Sequence, residues 1–138
     1  MNKQELISAL NEDLAREYAA AIQYYQHAAV IDGVYFSFAK ELLDHAADEI
    51  KHAQTLNDHI AYLGGVPSVK VADIFTSSDA VPMLRQDLLG EQEAIAEYQQ
   101  RVAQARAIAD PGTEAILLEI LADEEHHAND LKSMLEDR

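Results

Sequence analysis

The chain has 138 residues, 49% of them apolar, with 25 acidic against 10 basic side chains, a formal net charge of −15 and no cysteine. That length gives one domain over residues 1–138 with a hydrophobic core of its own, and the apolar share is too high for disorder. The charge excludes nucleic acid and anionic membrane surfaces and leaves cations as partners; the missing cysteine excludes disulfides, thiol catalysis, iron–sulfur clusters and cysteine zinc sites.

The N-terminal MNKQELISALNEDL is charged within its first turns and does not read as a signal peptide. No stretch approaches the roughly 18 apolar residues of a membrane helix. The expectation is a soluble protein of the cytoplasm, without a membrane partner.

Four helices follow in chain order, at about 3–31, 35–63, 80–108 and 113–136. Asn2 and Glu5 have the spacing of a capping box that opens the first. Gly33 separates the first from the second, and Gly64-Gly65-Val66-Pro67 stops the second. Residues 64–79 are the one long connection, with Val69–Phe75 locally extended. Pro82 suits the first turn of a third helix capped near Ser78 or Asp79. Asp110 caps the fourth, with Pro111 in its first helical position.

Each helix carries one apolar line in steps of three and four. The lines run Leu10, Leu14, Glu17, Ala21, Tyr24, Ala28, Ile31; then Phe38, Leu42, His45, Glu49, His52, Leu56, His59 or Ile60, Leu63. The third is Leu84, Leu88, Glu91, Ile95, Tyr98, Val102, Ala105, and the fourth Leu117, Ile120, Glu124, His127, Leu131, Met134. This stepping is the seam of a helical bundle packed at about 20°. The fold class is therefore all-α: an antiparallel four-helix bundle with a long crossover between the second and third helices.

Glu17, Glu49, His52, Glu91, Glu124 and His127 stand on those core lines. A buried carboxylate needs a compensating partner. No Lys or Arg lies on the lines to supply one. Glu17 and Glu49 are 32 residues apart, Glu91 and Glu124 33 apart, and Tyr24 and Tyr98 each follow a glutamate by seven. Asp48-Glu-Ile-Lys-His-Ala53 also matches Asp123-Glu-Glu-His-His-Ala128. The two halves read as a diverged helix-pair repeat around one central site.

Glu-x-x-His puts a carboxylate and an imidazole on one helical face. Two such pairs and two further glutamates give the ligand set of a di-iron or di-manganese carboxylate site. Iron, manganese or zinc suits these donors, and two divalent ions balance four glutamates. The bare pair is weak evidence, since 13 Glu and 6 His give about 0.6 such pairs by chance. The weight rests on phase, repeat spacing and the extra glutamates agreeing.

Other polar residues carry less. His45 lies one turn before Glu49, either beside the site or packed at the core edge. His59 and His126 read as surface, and Glu41, Asp44, Asp48 and Asp123 as solvated face. Tyr98 reads as core filling with its hydroxyl on a carboxylate; Tyr24 reads equally as that or as an electron donor.

From Leu6 to Leu135 the chain resembles the bacterioferritin branch of the ferritin-like family. The resemblance rests on Glu17-Tyr-Ala-Ala-Ala-Ile-Gln-Tyr-Tyr-Gln-His27, Asp48–Ala53, Leu63-Gly-Gly-Val-Pro67, Met83–Leu88 with Glu91, and Glu119–His127. The second complete Glu-x-x-His is specific to that branch. The resemblance implies that Glu49 and Glu124 bridge two iron ions, with Glu17 and His52 completing one and Glu91 and His127 the other. It implies oxidation of Fe(II) by O2 or H2O2, a ferroxidase activity, with storage of ferric mineral in a homo-oligomeric shell.

Two departures qualify it. Bacterioferritins bind haem at a dimer interface through a Met after the first bridging Glu; here that residue is Ile50, so no haem is expected. Only 11 residues follow His127, so the fifth helix of 24-subunit cages is absent. That departure speaks against the 24-mer and against storage itself, and leaves a dodecameric shell built from dimers or a plain dimer as the expected assembly. The alternatives are a di-iron or di-manganese redox enzyme without storage (peroxidase, oxidase or catalase-like) and a non-catalytic structural bundle.

Overall fold

The computed structural model describes residues 1–136; Asp137 and Arg138, the last two of the expected 1–138 domain, lie outside the described residues. Four helices form: α1 (Lys3–Val30), α2 (Ala39–Tyr62), α3 (Ala80–Ala107) and α4 (Pro111–Glu136). No strand forms among the described residues, and none of the helices is long and apolar enough to cross a membrane.

The helix ends follow local chemistry. Glu5 N donates to Asn2 Oδ1 at 2.9 Å while Asn2 N donates to Glu5 Oε1, completing the capping box. At the end of α2, Gly64 N donates to Ala61 O and Gly65 N to Ile60 O, a Schellman closure with Gly64 at φ 91°. A Cβ on Gly65 would stand 2.6 Å from Ile7 Cγ2, so the turn packs against α1 only as glycine. α3 closes the same way, through Ala109 N to Arg106 O and Asp110 N to Ala105 O, but its left-handed residue is Ala109, φ 57°. Thr113 N donates to Asp110 Oδ1 at 3.1 Å, so Asp110 caps α4 and Pro111 opens it.

The start of the second helix differs from the expected residue 35. Gly33–Phe38 form a 3-10 helix before α2. Three residues per turn eclipse Tyr35 and Phe38, and both pack on the core while Val34 and Phe36 face solvent. The aromatic and β-branched run resists α-helical crowding.

α1 packs chiefly on α2, and α3 on α4. The crossover, without regular secondary structure over Val69–Phe75, runs along α1. Ser68 N donates to Asn11 Oδ1 at 2.7 Å, Ala72 N to Ala15 O at 3.0 Å and Phe75 N to Gln23 Oε1 at 2.9 Å. These contacts climb α1, so α3 begins near the end of α1 and runs antiparallel to it. The seam residues are buried as read, except Phe38, His59, Leu88 and Ile95, which are half-buried. The core is split in two. One half gathers Leu6, Leu10, Leu14, Leu56, Ile60 and Leu117; the other Tyr24, Leu42, Met83, Leu84, Leu131 and Met134. A layer of carboxylates and imidazoles lies between them.

Candidate metal centre

α1 contributes Glu17 to that layer, α2 Glu49 and His52, α3 Glu91, and α4 Glu124 and His127; none is more than 4% exposed. The six residues form two overlapping groups, Glu17–Glu49–His52–Glu124 and Glu49–Glu91–Glu124–His127. Within each, one ligand atom per residue lies within 4.8 Å of all the others. Glu49 and Glu124 belong to both groups. Helical phase alone brings together every residue read as a metal ligand.

The layer is cross-braced by the internal repeat. His52 Nδ1 lies 3.2 Å from Glu17 Oε1, and His127 Nδ1 3.0 Å from Glu91 Oε2. Tyr98 O–H donates to Glu17 Oε2 at 2.6 Å, and Tyr24 O–H to Glu91 Oε2 at 2.5 Å. Each tyrosine thus serves the glutamate of the other half. Their hydroxyls are held well above the ordinary phenol range by burial and by those glutamates, so both remain donors.

The electrostatics show a site short of positive charge. Burial, then Glu17, Glu91 and Glu124, push the Glu49 carboxyl well above its usual range. Burial, Glu17 and Glu91 push Glu124 up to about 8. Burial opposes charge on His52, but Glu17, Glu124 and Asp123 outweigh it and raise the ring to about 9. His127 is likewise raised against burial, by Glu124, Glu91 and Asp48, to about 11. Oε1 of Glu49, Glu91 and Glu124 is buried without a hydrogen-bond partner. Such orphaned acceptors are costly unless a cation takes them. The donor set fits a pair of divalent ions, and the clustering marks a di-iron type of site.

Two openings reach the layer. A cavity of about 250 Å³ lies between α1, α3 and the crossover, with small residues Ala19, Ala20, Gly90 and Ala94 in its wall and Glu17, Glu49, Glu91 and Glu124 at its base. A second, about 320 Å³, opens between α2 and α4 and is ringed by Glu41, Asp44, Asp48, Asp123 and Asp130, with His126 exposed at its edge.

Several residues do more than the sequence reading assigned them. Asp48 and Asp123 are half in solvent, yet each also accepts from an imidazole, His127 Nε2 at 2.9 Å and His52 Nε2 at 2.8 Å. The signal was present, because each directly precedes a repeated glutamate. His45 is buried at 4% exposure, with Nε2 on Asp130, and its pKa is lowered by burial and by His127. His59 is half-buried rather than surface, 2.7 Å from Thr113 Oγ1. Two buried polar groups were missed. Arg101 grips Asp13 through Nε and Nη2 at 2.8 and 2.9 Å, so the one arginine buried among the described residues is taken by a carboxylate outside the layer. His27 lies 2.9 Å from Asp87 and 3.1 Å from the Phe75 carbonyl, tying the crossover to α1 and α3.

Known proteins share this fold and sequence family. The sequence model of the ferritin-like domain matches residues 7–138. The bacterioferritin of Streptomyces coelicolor is 33% identical over 134 residues, covering 96% of this chain and 80% of that protein. That of Brucella melitensis is 29% identical, covering 96% and 83%. Among solved structures, a ferritin-like diiron-carboxylate protein from Bacillus anthracis superposes with a TM-score of 0.93 at 33% identity, covering 98% of this chain and 99% of that one. A dodecameric thioferritin, the bacterioferritin-related protein of Bacteroides fragilis, gives 0.92 at 33%, covering 99% and 88%. With its four-helix bundle and its paired Glu-x-x-His layer, the chain belongs to the ferritin-like family, in its bacterioferritin branch.

Proposed function

We propose that this protein oxidises Fe(II) to Fe(III) at a two-metal centre and stores the ferric product inside a homo-oligomeric shell, in the cytoplasm. The observation that carries the reading is the set of orphaned oxygens on Glu49, Glu91 and Glu124 beside two imidazole Nδ1 atoms. Two iron ions per chain fit it, Glu49 and Glu124 shared, Glu17 and His52 on one side, Glu91 and His127 on the other. Manganese and zinc satisfy the same donors. Iron supplies the redox chemistry: two Fe(II) losing one electron each reduce O2 to H2O2, or H2O2 to two waters, with two protons taken up.

The chain's own residues prepare that reaction. Carboxylates favour the ferric product over the ferrous substrate. Asp48 and Asp123 accept from the outer imidazole nitrogens, which turns each Nδ1 inward onto the glutamates where an ion would replace its proton. Tyr24 and Tyr98 fix Glu91 and Glu17. The acidic opening between α2 and α4 attracts Fe(II). No haem is bound, because Ile50 has no lone pair to offer. Association through α1 and α2 is supported by Ile22, Tyr25, Leu43 and Ile50, apolar and 44–47% exposed.

The test adds Fe(II) aerobically to metal-free protein, then measures iron retained per chain and particle size. Tens of irons per chain in a hollow particle support storage. Two per chain in a dimer, with turnover of peroxide, make it a non-storage redox enzyme. No binding refutes both. Glu49→Ala and Glu124→Ala abolish rapid oxidation; full activity in either refutes the ligand assignment.

A further inference from the structure

His45 is a third imidazole at the layer, and the repeat does not require it. Glu49 and His52 correspond to Glu124 and His127 by a shift of 75 residues. The same shift takes His45 to Ile120, a buried apolar residue, and Asp130 to Thr55. One half of the centre therefore has an imidazole where the other has hydrocarbon.

The orientation of His45 is that of a ligand. Its Nε2 lies 3.1 Å from Asp130 Oδ2, repeating the device by which Asp123 holds His52 and Asp48 holds His127. Its Nδ1 is buried and has no hydrogen-bond partner. The large majority of buried polar side-chain atoms have a partner, so the bare Nδ1 is an exception that a bound ion would account for. The ring stacks on His127, centroids 4.1 Å apart at 25°, with the Tyr24 edge 5.1 Å away. His45, Glu91 and His127 each offer an atom within 4.8 Å of the other two. Donors on one ion held at about 2.1 Å lie roughly 3–3.5 Å apart, so a small inward shift closes the set.

We infer that His45 is a nitrogen ligand to the ion held by Glu91 and His127, which makes the two metal positions chemically unequal. The inference rests on the two-metal reading. Two imidazoles on one position and one on the other bias the first toward ions that prefer nitrogen.

The test titrates metal-free protein with Co(II) under nitrogen, following its visible absorption. Wild type takes two ions per chain in two steps at least tenfold apart in Kd. His45→Ile, which copies Ile120, still takes two ions but brings the steps within about threefold. Indistinguishable steps in wild type, or an unchanged separation in His45→Ile, overturn the inference and leave the two-metal reading standing. Failure of wild type to bind Co(II) at all overturns both. A measurement independent of any variant is 15N NMR of the histidine rings with Zn(II) bound. Three shifted Nδ1 signals support the inference, and two overturn it.

Discussion

Asp123 on α4 and His52 on α2 stand 2.8 Å apart across the bundle, so the aspartate holds an imidazole on a helix other than its own. The carboxylate that precedes one shared glutamate aims the imidazole that follows the other, and Asp48 repeats this for His127. Removing such a partner frees the ring to rotate. Asp123→Ala and Asp48→Ala should each weaken divalent-ion binding by about 10–100-fold without loss of helix content. Calorimetric titration of metal-free protein with Zn(II) checks it, and an unchanged Kd would show that the aspartates are ordinary solvated groups.

Burial and the like charges of Glu17 and Glu91 push the Glu124 carboxyl up to about 8, which costs the metal-free fold stability. Glu124→Gln keeps its size and removes the repulsion. Metal-free Glu124→Gln should be about 1–4 kcal/mol more stable than wild type in urea, while metal no longer stabilises it. A destabilised variant would mean that the carboxylates already balance without an ion.

The pH dependence follows from the same groups. Glu49, raised well above the usual carboxylate range, together with Glu124 at about 8, His52 at about 9 and His127 at about 11, all hold their protons more tightly folded than unfolded. The folded state then carries more bound protons, so its stability is greatest at low pH and is lost as pH rises through those values. The Tm of the metal-free protein should fall from about pH 5 to about pH 9. Divalent ions need the deprotonated ligands, so loading should release protons, bind more tightly as pH rises, and remove the fall. Parallel calorimetric melts with and without Mn(II) decide this.

Tyr24 and Tyr98 make equivalent bonds to Glu91 and Glu17. If both only position a ligand, Tyr24→Phe and Tyr98→Phe slow aerobic Fe(II) oxidation by similar factors, about tenfold each. Stopped-flow absorbance measures both. A loss confined to Tyr24→Phe identifies that residue as the electron donor instead.

Ala109 occupies a left-handed conformation that closes α3, where Gly64 performs the same office for α2. Ala109→Gly should stabilise the protein by about 1 kcal/mol, raising Tm by about 3 °C. Metal affinity should not move, which separates this effect from the centre.

The four helices and the six residues of the buried polar layer were legible because one line of phase on each helix carries both core and layer. Glu17 and His127 announce themselves by interrupting leucines. Asp48 and Asp123 were harder, since half-exposed residues break no apolar pattern; only their repetition beside a glutamate betrays them. Asp13 and Arg101 were not legible. They are 88 residues apart, and each sits one step off its helix's seam, where a charged residue ordinarily meets water. His27 and Asp87 fail for the same reason, at a separation of 60. The 3-10 helix at Gly33–Phe38 was missed because its three-residue period agrees with α-helical spacing over a single turn.

The crossover has one further consequence. It is fastened to α1 at Asn11, Ala15, Gln23 and His27, and it lends Ala72, Asp73 and Phe75 to the wall of the cavity above the glutamates. A connector that merely spanned the bundle would accept insertions freely. Here one extra residue before Phe75 would slide it off Gln23 and His27 and breach the wall. This long connection is thus gauged to length like a gasket, and an insertion in it should cost more than a substitution.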